Sequence, residues 1–430
     1  QPNIGLRIKL VSAGQGRWSS SAGEHSKFGL NTMELMEALE IAKNKNILDC
    51  VKLIHFHLGS QITNIRRIKD SLKEVGRFYS ELMKFGCNIQ YIDVGGGLGI
   101  DYDGSRSTFA SSTNYSVQEY ANDVVYHLLE ICKAEDLPHP NIISESGRAM
   151  TAHHSILVVN VLDVTSFPEW SEQIEISGDA PEVVKEIFDV LDSTSNKNLI
   201  ESWHDAVHLK DAAQSQFLLG LISLADRAMT ERIYWGICRK IEKLSSRLKF
   251  LPDDIRNLKT KLADKYFCNF SIFQSVPDSW AIDQVFPVVP LNRLHEEPDR
   301  DATLADITCD SDGRIDTFIG THRGTENTLR VHSLEPGESY SLCIFLTGAY
   351  QEILGDLHNL FGDTNTVHVS LKEDGSLNYE QIIEGEDVAD VLDYVQFSAD
   401  ELAGRIDGFL IGCVQRGVVT QKEADDFLSL

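Results

Sequence analysis

The chain has 430 residues, 42% of them hydrophobic, enough for two or three domains with substantial cores. Its 39 Lys and Arg against 65 Asp and Glu give a formal charge of −26, which repels nucleic acid and anionic membrane and excludes both as expected partners. No apolar run reaches membrane length, and eight cysteines without a C-x-x-C pair argue against a zinc site or disulfide framework and for a reducing, cytoplasmic home.

Residues 4–10 alternate apolar and polar side chains, as a strand does, and follow directly on Gln1 rather than Met. The chain is therefore expected to be the remainder of a longer polypeptide. Asn31 and Glu34 form a capping-box pair for a helix, with Leu30 and Leu35 as its staple. Residues 50–57 read as the next strand, ending in His55-Phe-His-Leu-Gly-Ser60. Residues 70–85 are amphipathic and stop at Gly86. A strand from residue 88 runs into Gly95-Gly-Gly97 and Gly99. Ser116 and Glu119 open a further helix, and residues 141–145 form a strand ending in Glu145-Ser-Gly-Arg148.

This alternation predicts parallel strands with their distinctive clusters at the C-terminal ends, where a (β/α)₈ barrel carries its active site. Only about four strand–helix units are present, so the expected fold is either an open sheet or half a barrel. Residues 181–265 read as purely helical, with Trp203, His204 and His208 as packing or surface residues. Short β runs return between residues 266 and 371 and predict an antiparallel sandwich or barrel. The last fifty residues are mostly helical. The expected divisions are 1–178, 179–265, 266–378 and 379–430.

The glycine run lets backbone N–H groups approach an anion such as phosphate. A dinucleotide fingerprint fails at Ile100, where the third glycine is required; a strand-end turn without ligand is the plain alternative. Glu145 can hold a pyridine nitrogen protonated and Arg148 can pair with phosphate, unless the two form an ordinary ion pair. His57 can lie against a planar cofactor and Ser60 can donate to phosphate. In Thr308-Cys-Asp-Ser-Asp-Gly313, Cys309 can donate a proton while Asp310 or Asp312 holds a cationic substrate tail; a polar turn is equally consistent. Tyr350, in Gly348-Ala-Tyr350, can reach a phosphate or be a core tyrosine.

In this order the clusters resemble the alanine racemase-like (fold type III) pyridoxal-phosphate decarboxylases, and within them the arginine-decarboxylating subgroup. The stretches that carry the likeness are His55-Phe-His-Leu-Gly-Ser-Gln61, Ile92-Asp-Val-Gly-Gly-Gly-Leu-Gly-Ile-Asp-Tyr102, Phe273-Gln-Ser-Val-Pro-Asp-Ser-Trp-Ala-Ile-Asp283, Ile307-Thr-Cys-Asp-Ser-Asp-Gly313 and Gly348-Ala-Tyr-Gln-Glu352. The resemblance implies the C-terminal half of a (β/α)₈ barrel, a helical-bundle insertion, a β domain and a helical tail. It also implies a homo-oligomer, dimer or tetramer, with shared active sites.

Carried over by residue, the resemblance implies that His57 stacks on pyridoxal 5′-phosphate. Ser60, Gly95, Gly96, Gly97, Arg148 and Tyr350 would cradle its phosphate, and Glu145 would face its pyridine nitrogen. Cys309 would return a proton to the substrate carbon, in the partner subunit's site, while Asp310 meets the distal cationic group. Asp312, Asp93 and Asp278 are placed with it as substrate-binding carboxylates. The implied reaction converts L-arginine to agmatine and CO₂ in polyamine biosynthesis, with Mg²⁺ as a further requirement whose site is open. The family attaches its cofactor to a lysine in the first barrel strands. Neither Lys9 nor Lys27 lies in that motif, so a companion N-terminal fragment is expected. A non-catalytic regulatory relative, or a decarboxylase of another basic amino acid, is the alternative.

Overall fold

The computed structural model describes residues 2–12, 26–167, 174–245, 255, 257–320, 324–335 and 337–428. Four strands, β1 (Ile4–Arg7), β2 (Val51–His55), β3 (Tyr91–Asp93) and β4 (Asn141–Ile143), pair side by side and all parallel. Helices α1 (Thr32–Asn44), α2 (Ile65–Phe85) and α3 (Val117–Ala134) connect them in turn. The helices start where their caps dictate. Asn31 and Ser116 both complete capping boxes, with Glu34 and Glu119. α2 begins five residues earlier than its apolar stripe suggests, because Asn64 accepts from the Arg66 N–H. It ends at Gly86, which takes the left-handed conformation at φ 107°. Ile54, Ile92, Leu72, Val75 and Leu128 are buried between sheet and helices. Each such side chain contributes roughly 1.5–3 kcal/mol of burial free energy.

Helix α4 (Gly147–Thr151) leads into β5 (Leu157–Thr165). Helices α5 (Glu182–Ser193), α6 (Leu199–Leu218) and α7 (Leu224–Ser245) then pack on one another around Ile187, Trp203, Ala206, Ile233 and Ile237. Trp203 is a core residue of this bundle, and His204 and His208 are exposed.

The β-rich part differs from the antiparallel sandwich its short runs suggest. After β5 come β6 (Asp264–Cys268), β7 (Val288–Pro290), β8 (Arg300–Ala305), β9 (Arg314–Ile315), β10 (Phe318–Ile319), β11 (Thr325–Glu326), β12 (Leu329–Val331) and β13 (Ser341–Ile344). They hold one seven-stranded mixed sheet, ordered β12-β8-β6-β5-β13-β7 with β9 added to β8, while β10 and β11 pair with each other apart from it. β6 and β8 are parallel, and parallel neighbours need a long crossover. Residues 269–299 supply it, with helices Ile272–Ser275 and Pro277–Ala281, the first of which takes over the end of the β-type run at residues 267–273. β5, from the first 178 residues, lies inside this sheet, antiparallel to both β6 and β13. A separate hairpin, Thr366–Leu371 with Leu377–Ile383, precedes the closing helices Val388–Tyr394, Ala399–Gln415 and Gln421–Leu428. Among the described residues no helix is long and apolar enough to cross a membrane.

Candidate active site

Parallel register brings the three distinctive strand ends level, since His55 pairs with Asp93 and Asp93 with Ile143. The glycine run is what lets them close up. Gly95 and Gly97 have φ of 67° and 98°, which only glycine adopts without strain. A Cβ on Gly95, Gly96 or Gly97 would lie 2.3, 2.4 or 2.5 Å from the carbonyl oxygens of Phe56, Glu145 and Gly59 respectively. The run thus seats the ends of β2 and β4 against β3, with His57 and Ser60 on one side and Glu145 on the other.

His57 lies against this run: a Cβ at Gly95 would be 3.3 Å from its Nδ1. Burial is the main cause that lowers its pKa from 6.5, helped by Arg7 and His55 and opposed by Glu145 and Asp93. A neutral ring is the form suited to stacking on a planar group. Because the folded-state value is the lower one, stability from neutral His57 is complete above about 6.5 and is lost as pH falls through the lowered pKa. The His57 NMR titration should therefore have its midpoint below 6.5, and His57→Gln should reduce the loss of stability on acidification below that pH.

Arg148 is 5% exposed. Its Nε and Nη2 donate to Ser60 Oγ at 3.3 and 3.2 Å, and its Nη1 donates to the Tyr102 hydroxyl at 2.9 Å. Among the described residues no carboxylate is ion-paired with it, so the expected alternative of a Glu145–Arg148 pair is not formed. A buried guanidinium bonded only to hydroxyls is a site in want of an anion. The Tyr350 ring lies under the same guanidinium at 4.8 Å. Gly348 permits that approach, since a Cβ there would sit 2.0 Å from the Thr151 carbonyl.

Asp93 is buried; its Oδ1 accepts from the Gly95 N–H at 2.9 Å and its Oδ2 lies 2.9 Å from His55 Nδ1. The His55–Asp93 approach is an ion-pair contact without hydrogen-bond alignment. The ligand atoms of His55, Asp93 and Glu145 all lie within 4.8 Å of one another, so the three can hold a metal ion. One nitrogen among two carboxylates suits a transition-metal ion better than Mg²⁺, which takes oxygens.

Asp278 is buried and clamped by Gln351, whose Nε2 donates to Oδ2 at 2.8 Å. It lies on helix Pro277–Ala281 together with Trp280, whose Nε1 is 3.4 Å from Asp312 Oδ2. Cys309, Asp310 and Asp312 lie together on one turn, where the Asp312 N–H donates to Asp310 Oδ1 and Trp280 ties the turn to that helix. Cys309 is exposed with Sγ 3.6 Å from Asn359 Oδ1, and Asp310 pairs with His358 at 3.2 Å. Among the described residues no hydrogen bond or ion pair joins this cluster to Arg148, Ser60 or His57. Sequence reasoning missed Tyr102, Gln351, His358 and Asn359. Of these Tyr102 and Gln351 left a signal, since both fall in stretches that carry the family likeness, Tyr102 directly behind the glycine run and Gln351 directly after Tyr350.

The pyridoxal binding domain of pyridoxal-dependent decarboxylases matches residues 1–152, and the arginine decarboxylase helical bundle domain matches residues 177–259. A biosynthetic arginine decarboxylase of Bacteroides thetaiotaomicron is 53% identical over 430 residues, covering 100% of this chain and 68% of the relative. One from Phocaeicola vulgatus is 50% identical over the same shares. The crystal structure of the biosynthetic arginine decarboxylase from Campylobacter jejuni superposes with a TM-score of 0.82 at 35% identity, covering 100% of this chain and 67% of that one. Diaminopimelate decarboxylase from Helicobacter pylori shares the fold alone, at 14% identity and a TM-score of 0.54.

Proposed function

This chain belongs to the biosynthetic arginine decarboxylases, and from that premise we propose that it serves the pyridoxal phosphate-dependent conversion of L-arginine to agmatine and CO₂ in polyamine biosynthesis. The observation that carries the reading is the buried Arg148 guanidinium, bonded to Ser60 and Tyr102 and, among the described residues, to no carboxylate. That donor set fits the cofactor's phosphate. When bound, pyridoxal phosphate supplies the electron sink for the pair left when the carboxylate departs.

The chain's own residues do the rest. Ser60, Arg148, the N–H groups of Gly96 and Gly97, and Tyr350 hold the phosphate, while Gly95, whose own N–H is taken by Asp93, lets the run approach it. Neutral His57 covers one face of the ring and excludes water from it. Glu145 keeps the pyridine nitrogen protonated, with Asp93 and His55 beside it. Cys309 returns a proton to the substrate's α-carbon, and Asp310 meets the guanidinium of arginine, with Asp312 and Asp278 adding negative charge. Because Cys309 and Asp310 stand apart from the cradle on an exposed loop, we place them in the partner subunit's site, within a homodimer or tetramer. We read β1 to β4 as half of a (β/α)₈ barrel, residues 179–265 as the helical insertion, β5 together with residues 266–383 as the β domain, since the expected boundary at 378 would cut the strand Leu377–Ile383, and the closing helices from Val388 as the tail. A cytoplasmic location follows the same reading. Mg²⁺ finds no fitting donor set in the His55, Asp93 and Glu145 group, and no step is assigned to it.

Arginine, ornithine, lysine and diaminopimelate offered in turn, with CO₂ release measured, test the assignment. Arginine should be preferred by a hundredfold or more, on the order expected when buried polar groups are left unpaired by a shorter or differently charged substrate. A preference for any of the other three would overturn arginine while leaving the fold untouched.

A further inference from the structure

We propose that Tyr102 is a positioning residue of the phosphate cradle, holding Arg148 in place with its hydroxyl oxygen and giving its hydroxyl hydrogen to the cofactor's phosphate. This rests on the reading of the site as a pyridoxal phosphate cradle. Tyr102 follows β3 and the glycine run, yet it is buried in the hydrophobic core of the β-rich part, with Tyr266, Phe270 and Phe286. Three contacts fix it. The ring meets Phe286 edge-on, with centroids 5.6 Å apart and planes at 85°. Its N–H donates to the Ser111 carbonyl at 2.9 Å. Gln61 clamps Ile100, two residues before Tyr102, accepting from the Ile100 N–H at 2.9 Å and donating to the Ile100 carbonyl at 2.6 Å.

The hydroxyl is therefore held at a set position, where it accepts from Arg148 Nη1. A tyrosine hydroxyl that accepts keeps one hydrogen to donate. Among the described residues no acceptor takes it, and a buried donor left unmade is costly. Ser60 is in the same condition: its oxygen accepts twice from Arg148 and its hydrogen has no acceptor among the described residues. Arg148, Ser60 and Tyr102 thus converge as donors with hydrogens still to give. A phosphate, offering only acceptors, completes all three.

The test separates the phosphate from the ring of the cofactor. The full chain and its Y102F variant are titrated with pyridoxal phosphate and, separately, with pyridoxal. For Y102F the affinity for pyridoxal phosphate should fall about tenfold, the scale of one buried hydrogen bond, with the affinity for pyridoxal unchanged. Retention of the wild-type preference for the phosphorylated form overturns the inference, and so does equal loss of both ligands, which marks Tyr102 as structural. Should Y102F fail to fold, 3-fluorotyrosine at position 102 keeps the ring and hydroxyl. Its ¹⁹F resonance should shift with pyridoxal phosphate and not with pyridoxal; an unmoved resonance overturns the inference. If the unaltered chain shows no preference for pyridoxal phosphate over pyridoxal, the cradle reading itself fails, and Tyr102 with it.

Discussion

Arg148→Met should cut the affinity for pyridoxal phosphate by about a hundredfold or more while leaving the cofactor-free protein as stable as before, or more so. The two halves of that result have separate causes. Truncating one partner of a desolvated, charge-assisted pair costs roughly 2–5 kcal/mol, and 1.4 kcal/mol is one decade of affinity. Without an anion, the guanidinium is a buried charge bonded, among the described residues, only to the neutral hydroxyls of Ser60 and Tyr102. Replacing such an unpaired buried charge with an apolar side chain of similar length removes its desolvation cost, which offsets the hydrogen bonds lost to the two hydroxyls. Thermal melts with and without cofactor, beside a binding isotherm, read both effects. A melting temperature that falls in the cofactor-free state, with affinity intact, would show that Arg148 braces the fold instead of holding phosphate.

What was legible in the sequence is what local rules govern. The caps at Asn31 and Ser116 and the stop at Gly86 are fixed by side chains within three or four residues of the backbone they satisfy. His57, Gly95 to Gly97, Glu145 and Arg148 were also within reach, because parallel strands put all their C-terminal ends on one edge. The resemblance added the individual roles, which spacing alone left open. Pairings made at long range were not legible. Nothing near residue 160 announces that β5 joins β6 and β13, a hundred or more residues later, within one mixed sheet. Residues 267–273 carry enough Phe and Ile to read as strand, yet β6 stops at Cys268, and the Ser271 side chain accepts from the Gln274 N–H and starts a helical turn. Tyr102 escaped for a related reason. Its value comes from Arg148, 46 residues away, and from Phe286 on another element.

Cys309→Ala should slow turnover by 10²- to 10⁴-fold, the range for loss of a general acid, with pyridoxal phosphate affinity kept within about twofold. The split follows from placement. Among the described residues neither Cys309 nor its partner Asn359 bonds to any group of the cradle, so removing the thiol disturbs no cofactor contact. The proton it would have delivered to the substrate carbon then reaches the wrong atom more often, and the fraction of aldehyde product relative to amine should rise. Loss of cofactor with a normal product ratio would instead make Cys309 structural. Mixing C309A and R148M chains tests the sharing of sites between subunits directly. If each site takes its cradle from one chain and its thiol from the other, one of the two sites in a mixed dimer has both groups intact. Random exchange between two chains related by a two-fold axis then restores about a quarter of the unaltered activity. No recovery after verified subunit exchange would place Cys309 and Arg148 in the same chain's site, and the proton donor would have to reach the cradle by a movement of its own loop.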